Sequence, residues 1–196
     1  MRPAVLLSAL RLVLLATLVL GPVYLFAMTG VAQLLLPAQA NGSLVRIHGQ
    51  VVGSRLIGQA FTAPRFFQGR PSATTPAYNA AGSAASNLGP TNPALLQHVR
   101  AHLHQFLQEN PGVRPGQVPP AMVESSASGI DPDIPVAGAL LQVPRVARAN
   151  GLPVAVVRHL VLSHVRGRFL GIFGASYVNV LELNVALQRL ARPASG

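Results

Sequence analysis

The chain has no cysteine and no lysine. Without cysteine there is no disulfide, no thiolate metal site, no C-x-x-C redox pair and no thiol nucleophile. Without lysine the G-x-x-x-x-G-K-[ST] phosphate loop, which needs an ammonium on the phosphates, is excluded. Charge of any kind is scarce: 10% of residues are charged, against about a quarter in ordinary soluble domains. Acid is scarcer still. Glu109, Glu124, Asp131, Asp133 and Glu182 face 15 arginines, for a net charge of +10. Arginine without lysine, beside abundant Ala, Val, Leu and Pro, is the usage of a GC-rich gene and needs no functional cause. The arginines are scattered, apart from Arg145, Arg148, Arg158, Arg166 and Arg168. No nucleic-acid-binding signature accompanies them. Anionic lipid headgroups are the better electrostatic partner.

What is present is an apolar run. Residues 12–36, "LVLLATLVLGPVYLFAMTGVAQLLL", carry no charge. As a helix they extend about 38 Å, enough to cross a hydrocarbon core with some tilt. Gly21-Pro22 at the centre would break a soluble helix and is tolerated in lipid. Ala38-Gln39-Ala40 resembles a signal-peptidase site, but the apolar run is far longer than the core of a signal peptide, so a retained anchor is expected. Arg2 and Arg11 precede the span, and the next charge is Arg46. The positive-inside rule then places residues 1–11 in the cytoplasm and residues 37–196 outside.

Residues 37–196 read as one α+β domain. Strands are expected over 43–48 and 50–53, with Gly49 at the turn, and then a long ordered loop. The loop contains "QAFTAPRFFQGRPSAT", 59–74, which has two adjacent phenylalanines beside arginine, glycine and proline. Asn92-Pro93 starts a helix, N-cap then Pro at the first position. It runs over 93–109 with Leu95, Leu96, Val99, Leu103, Phe106 and Leu107 on one face. Asp131-Pro132 sets an Asx-type turn, and Asp133 is expected to cap a helix that ends at Asn150-Gly151. Pro144 should kink or split that helix. Pro153 opens a third helix, "SYVNVLEL" reads as a strand, and "NVALQRL" as a short final helix.

The chemistry-bearing residues support bland readings. His98 and His102 stand at i, i+4, as a metal pair would, but no H-E-x-x-H pattern accompanies them; a solvated helix face is the simpler reading, and no metal site is expected. Ser128, Asp131 and His159 or His164 would supply a hydrolytic triad, but no G-x-S-x-G elbow exists. The D-K-T-G phosphorylation motif of ion pumps is absent. A single span also encloses no transport path.

Seven motifs in order carry a resemblance: "GSRLIGQAF", "FFQGRPSAT", "YN", "SNLGPTNP", "SGIDPDI", "QVPRVARANGL" and "VNVLELNVAL". With the anchor, they make nearly the whole chain resemble the C subunit of the Kdp-type high-affinity potassium-transporting P-type ATPase. Two stretches, "AGSAAS" and "SSASG", depart from the family pattern by small-for-small changes.

The resemblance implies an accessory subunit of a bacterial plasma-membrane complex. Its partners would be a channel-like potassium-translocating subunit, a P-type ATP-hydrolysing subunit and a small single-helix subunit. ATP and potassium would be handled by the complex, not bound by this chain. The family is described as assisting nucleotide binding, with the region of Gln142 and Arg145 implicated. A domain outside the membrane cannot touch cytoplasmic ATP, so coupling through assembly is expected. A role over the potassium entrance, with Asp131 and Asp133 as its acidic residues, is the simpler physical idea. Phe66, Phe67, Arg70, Tyr78 and Asn79 are docking candidates, since aromatic residues and arginine are enriched at interfaces; the other reading is that the two phenylalanines close the core. The rival from another class is a membrane-tethered extracytoplasmic enzyme or binding protein acting alone.

Overall fold

The computed structural model describes residues 2–191 and divides into two compact units, one through Leu44 and one from Val45 onward. In the first, α1 (Pro3–Leu18) and α2 (Tyr24–Leu35) are joined by a π-helical turn over Val19–Val23, followed by the short α3 (Pro37–Ala40). Pro22 lies inside that turn. A widened turn absorbs the carbonyl that a proline leaves without a donor, so the helix continues. Together Pro3–Leu35 form 33 helical residues, the one helix among the described residues long and apolar enough to cross a membrane. Its side chains are exposed all round, the pattern of a helix whose solvent is apolar. Gln33 and Asn41 exchange amide hydrogen bonds at its C-terminal end.

The second unit mixes helix and sheet. β1 (Leu44–Ile47) and β2 (Gln50–Ser54) form a hairpin whose turn residues, His48 and Gly49, both have positive φ, as a type I′ turn requires. Residues 55–79 then run without helix or strand to a 3₁₀ turn at Ala80–Gly82. α4 (Pro93–Glu109) follows, then β3 (Asp133–Pro135), α5 (Val136–Asn150), α6 (Val154–Ser163), β4 (Tyr177–Asn179) and α7 (Val180–Ala191). β3 and β4 pair antiparallel, Ile134 opposite Val178. The core gathers Phe67, Phe106, Met122 and Ile134 with the inner faces of α5, α6 and α7: Val143, Val146, Val157, Val161, Leu183 and Leu187.

Three expectations need correction. Asp133 does not cap α5; it sits in β3, and Pro135 precedes the helix. The carboxylate instead accepts from Asn179 Nδ2 across the sheet, because strand pairing holds Asp133 extended. Pro144 neither splits nor ends α5, which is continuous; burial of Val143, Val146 and Ala147 on either side of it outweighs the lost hydrogen bond. "SYVNVLEL" is strand only to Asn179. Asn179 Oδ1 accepts from the Glu182 N–H, and this cap turns the β-branched run into α7.

Candidate functional site

Segment 59–74 is irregular because its backbone is held by side chains instead of by a neighbouring strand. Two amides clamp consecutive residues. Asn184, on α7, accepts the Phe67 N–H and donates to the Phe67 carbonyl, both at 2.8 Å. Gln142, on α5, accepts the Gln68 N–H at 2.8 Å and donates to the Gln68 carbonyl at 3.1 Å. Each amide copies the paired donor and acceptor of a strand neighbour. Arg145, one turn on from Gln142, donates to the carbonyls of Pro64 and Phe66 and to Gln142 Oε1 and Asn110 Oδ1. Burial holds the Arg145 guanidinium below its ordinary range, with Glu109 opposing. Asn150 Nδ2 donates to the Arg65 carbonyl.

The clamp fixes where the rings go. Phe67 is 0% exposed, in the core. It has no free face, so it leaves the set of docking candidates. Phe66 is half-buried, edge-on to Phe61 at 5.6 Å and under the Arg65 guanidinium at 4.8 Å. The core reading thus holds for Phe67, and Phe66 keeps a partly open face.

Beyond the rings the segment turns around Tyr78. Its hydroxyl donates to the Arg70 carbonyl at 2.7 Å, and its ring packs so close to Gly58 and Gly69 that a Cβ at either would collide with it. Burial, reinforced by the Asp131 carboxylate and opposed by Arg70, pushes the Tyr78 phenol up to about 12. Arg70 Nη1 pairs with Asp131 Oδ2 at 2.7 Å, and its Nε donates to the Ala121 carbonyl. Asp131 Oδ1 accepts from the Asp133 N–H, an Asx turn. Asn79 accepts from the Ala81 N–H at the head of the 3₁₀ turn, and Asn92 accepts from the Ala94 N–H at the head of α4. Burial raises the Asp133 carboxyl above its usual range, against the hydrogen bond from Asn179.

Two clefts flank the segment. One, of about 290 Å³, is lined by Phe61, Gln68, Arg70, Tyr78, His102 and Glu109 among others. The second, of about 380 Å³, lies toward Pro64, Gln108, Leu141, Arg145 and Arg148. Both are open and lined by a mixture of apolar and polar side chains. No buried side-chain nitrogen or oxygen lacks a partner among the described residues.

The remaining candidates are engaged singly. His98 and His102 have ring centroids 6.5 Å apart, and His102 Nδ1 lies 2.9 Å from the Val123 carbonyl. No group of three or more metal-ligating side chains occurs among the described residues. Ser128 hydrogen-bonds the Ile130 N–H, His164 Nδ1 lies against the Leu160 carbonyl, and Asp131 belongs to Arg70. The structure does not assemble them into a triad. Sequence reasoning missed Asn184, the second half of the clamp; its signal was an amide on the apolar face of an otherwise hydrophobic helix. It also missed the exposed hairpin at 166–177, signalled by "RFLGIFG", where four large apolar residues surround a glycine.

Residues 6–189 match the family model described as KdpC, the K+-transporting ATPase c chain. Among curated relatives, the potassium-transporting ATPase KdpC subunit of Methylobacterium nodulans is 52% identical, over 89% of this chain and 92% of its own length. That of Caldanaerobacter subterraneus subsp. tengcongensis is 48% identical over 91% of each. That of Methylorubrum populi is 48% identical over 98% of each. A family match over nearly the full length, with relatives near half identity at full coverage, places the chain in the KdpC family.

Proposed function

We propose that the chain is the accessory subunit of an ATP-driven potassium-uptake complex in the bacterial plasma membrane. Pro3–Leu35 anchors it, with the N-terminus in the cytoplasm and the α+β domain outside. It acts by stabilising assembly, and it promotes ATP use through assembly instead of through contact with the nucleotide. The observation that carries the reading is that one helix among the described residues is long and apolar enough to cross a membrane: one helix encloses no ion path, and the chain has no lysine for a phosphate loop. Transport therefore depends on a channel-like subunit, an ATP-hydrolysing subunit and a small single-helix subunit. Coupling through assembly is favoured by Gln142 and Arg145, most of whose polar atoms are engaged in holding segment 59–74 and each other. The potassium-entrance reading has less support. Asp131 is ion-paired with Arg70, and Asp133 is half-buried with one oxygen accepting from Asn179, so the two do not form an open acidic pair for a cation.

The test is purification of the tagged full-length chain in mild detergent from cells expressing the whole system. A polytopic channel-like subunit and a P-type subunit should come with it, together with potassium-stimulated ATP hydrolysis. A nucleotide photoprobe on that sample should label the P-type subunit and leave this chain unlabelled. Labelling of this chain overturns the assembly route. Recovery of the chain alone overturns subunit membership and returns attention to an enzyme or binding protein acting by itself.

A further inference from the structure

Residues 166–177 form a hairpin rooted in the core sheet. Tyr177, at the start of β4, pairs with Pro135 on one side and with Arg166 on the other. Arg166 and Tyr177 exchange both backbone hydrogen bonds, and so do Phe169 and Phe173 nearer the tip. The tip is apolar on every side: Phe169 is 71% exposed, Leu170 74%, Ile172 72% and Phe173 63%. A contiguous exposed cluster of this kind marks an interaction site.

Three observations identify the partner. The first is shape. A surface that docks on a protein is usually apolar on the face that meets it, whereas this tip presents large apolar groups all round, as insertion into a continuous apolar medium requires. The second is the backbone. The N–H groups of Phe169, Gly171, Ile172 and Phe173 are donated to carbonyls within the tip, and that of Leu170 at the apex is not; a mostly self-paired backbone suits the partly hydrated interfacial layer and not the hydrocarbon core. The third is charge. Arg168 immediately precedes the apolar groups and has no ion pair among the described residues, whereas Arg166, at the root, is paired with Glu182. An apolar tip beside an unpaired arginine is the chemistry of an anionic membrane interface. The apex also holds Leu170 at φ 52°. The left-handed region favours glycine or asparagine, so a leucine there is disfavoured by the turn and gains nothing from the domain's own core.

We propose that this hairpin is a second membrane contact, inserting Phe169, Leu170, Ile172 and Phe173 shallowly into an anionic bilayer surface. It rests on the chain being membrane-anchored and not on its role in transport. One contact tethers the domain; two would fix its orientation.

The absence of cysteine makes the test clean, because one introduced thiol is the only labelling site. Leu170→Cys and, separately, Ile172→Cys in the full-length chain would carry an environment-sensitive dye, reconstituted in phosphatidylcholine vesicles with about a quarter phosphatidylglycerol. Lipids bearing shallow nitroxide quenchers would report contact. Leu96→Cys, on an exposed part of α4, is the water-facing control, and Met28→Cys, in the apolar helix, reports that the anchor is inserted. The expected result is blue-shifted emission at 170 and 172, with lipid quenching about threefold stronger than at 96, and weaker quenching when Arg168→Gln is added or phosphatidylglycerol is omitted. Quenching at 28 with none at 170 and 172 overturns the proposal while leaving the anchor intact. Shielding at 170 that arises only when partner subunits are co-reconstituted also overturns it, in favour of a protein contact.

Discussion

Segment 59–74 and the hairpin 166–177 are both irregular, and both are built from phenylalanine, arginine and glycine. In the first, one ring is in the core, and neighbouring carbonyls are taken up by Arg145, Gln142 and Asn184. In the second, the rings face outward, and the hydrogen bonds close within the hairpin itself. Composition does not separate the two. What separates them is whether other elements supply polar side chains to the backbone. Buried irregular backbone needs those partners, so a clamped loop belongs to the fold. A loop that draws no side-chain partners from the core is free to carry its apolar groups elsewhere.

The largest test of that contrast is a pair of truncations. Phe67→Ala removes a fully buried ring and should cost about 3–5 kcal/mol, cavity included. Phe169→Ala, on an exposed ring, should change the stability of the detergent-solubilised chain by less than about 0.5 kcal/mol. Denaturant unfolding followed by circular dichroism measures both. Equal losses would mean that the hairpin is part of the core and that the contrast is false.

Arg145 comes next. Arg145→Met keeps much of the packing volume but strips partners from the Pro64 and Phe66 carbonyls, from Gln142 and from Asn110. Leaving several buried acceptors unmet should cost about 2–3 kcal/mol. A second readout is local: the Phe67 and Gln68 amides should lose hydrogen-exchange protection before the α5–α6 pair does. Uniform loss of protection would argue that the segment unfolds only with the whole domain.

Part of this contrast was legible in the sequence. The apolar helix, the Asn92-Pro93 start and the turn at Gly49 follow from run length and from residues with narrow conformational preferences, whereas His48 reads as strand and stands in the turn. The Asn179 cap was also present, since asparagine is a favoured N-cap, but the β-branched run around it reads more strongly as strand. The clamp was legible only by halves. Gln142 belongs to a recognisable motif, yet a sequence carries no sign that its amide will face Gln68, 74 positions away. Long-range side-chain-to-backbone pairing has no period, so no pattern announces it. The same limit applies to Asp133, where an N-cap and a strand residue before proline look alike until β4 is in place.

Tyr78 sharpens the comparison at high pH. Its folded phenol titrates near 12 against an ordinary 10. A raised acid stabilises the fold fully below about pH 10, and that contribution is lost as pH rises from 10 through 12, by about 2 kcal/mol. Tyr78→Phe loses the hydrogen bond to the Arg70 carbonyl, about 1 kcal/mol at neutral pH, but escapes the alkaline loss. The variant should therefore start less stable and overtake the wild type at about pH 11, where about half of the alkaline loss has accrued. Parallel curves across that range would show that Tyr78 is not buried against Asp131 as described.

The smallest expected effect lies at the root of the hairpin. Asp133 is lifted above the ordinary carboxyl range chiefly by burial, with Asn179 opposing. A raised carboxyl favours the fold at low pH and disfavours it once pH passes its folded titration. Asp133→Asn keeps an oxygen for Asn179 Nδ2 and removes the charge. Its stability relative to wild type should therefore improve from pH 3 to pH 7, as the wild-type carboxylate forms in its half-buried site. Unfolding midpoints at the two ends of that window check the sign. Because β3 and β4 carry the hairpin through Tyr177, the same variant should tighten the root while leaving the tip's lipid quenching unchanged. A change at the tip would mean that root and tip are one mechanical unit, and that the hairpin is held more like segment 59–74 than its exposed rings suggest.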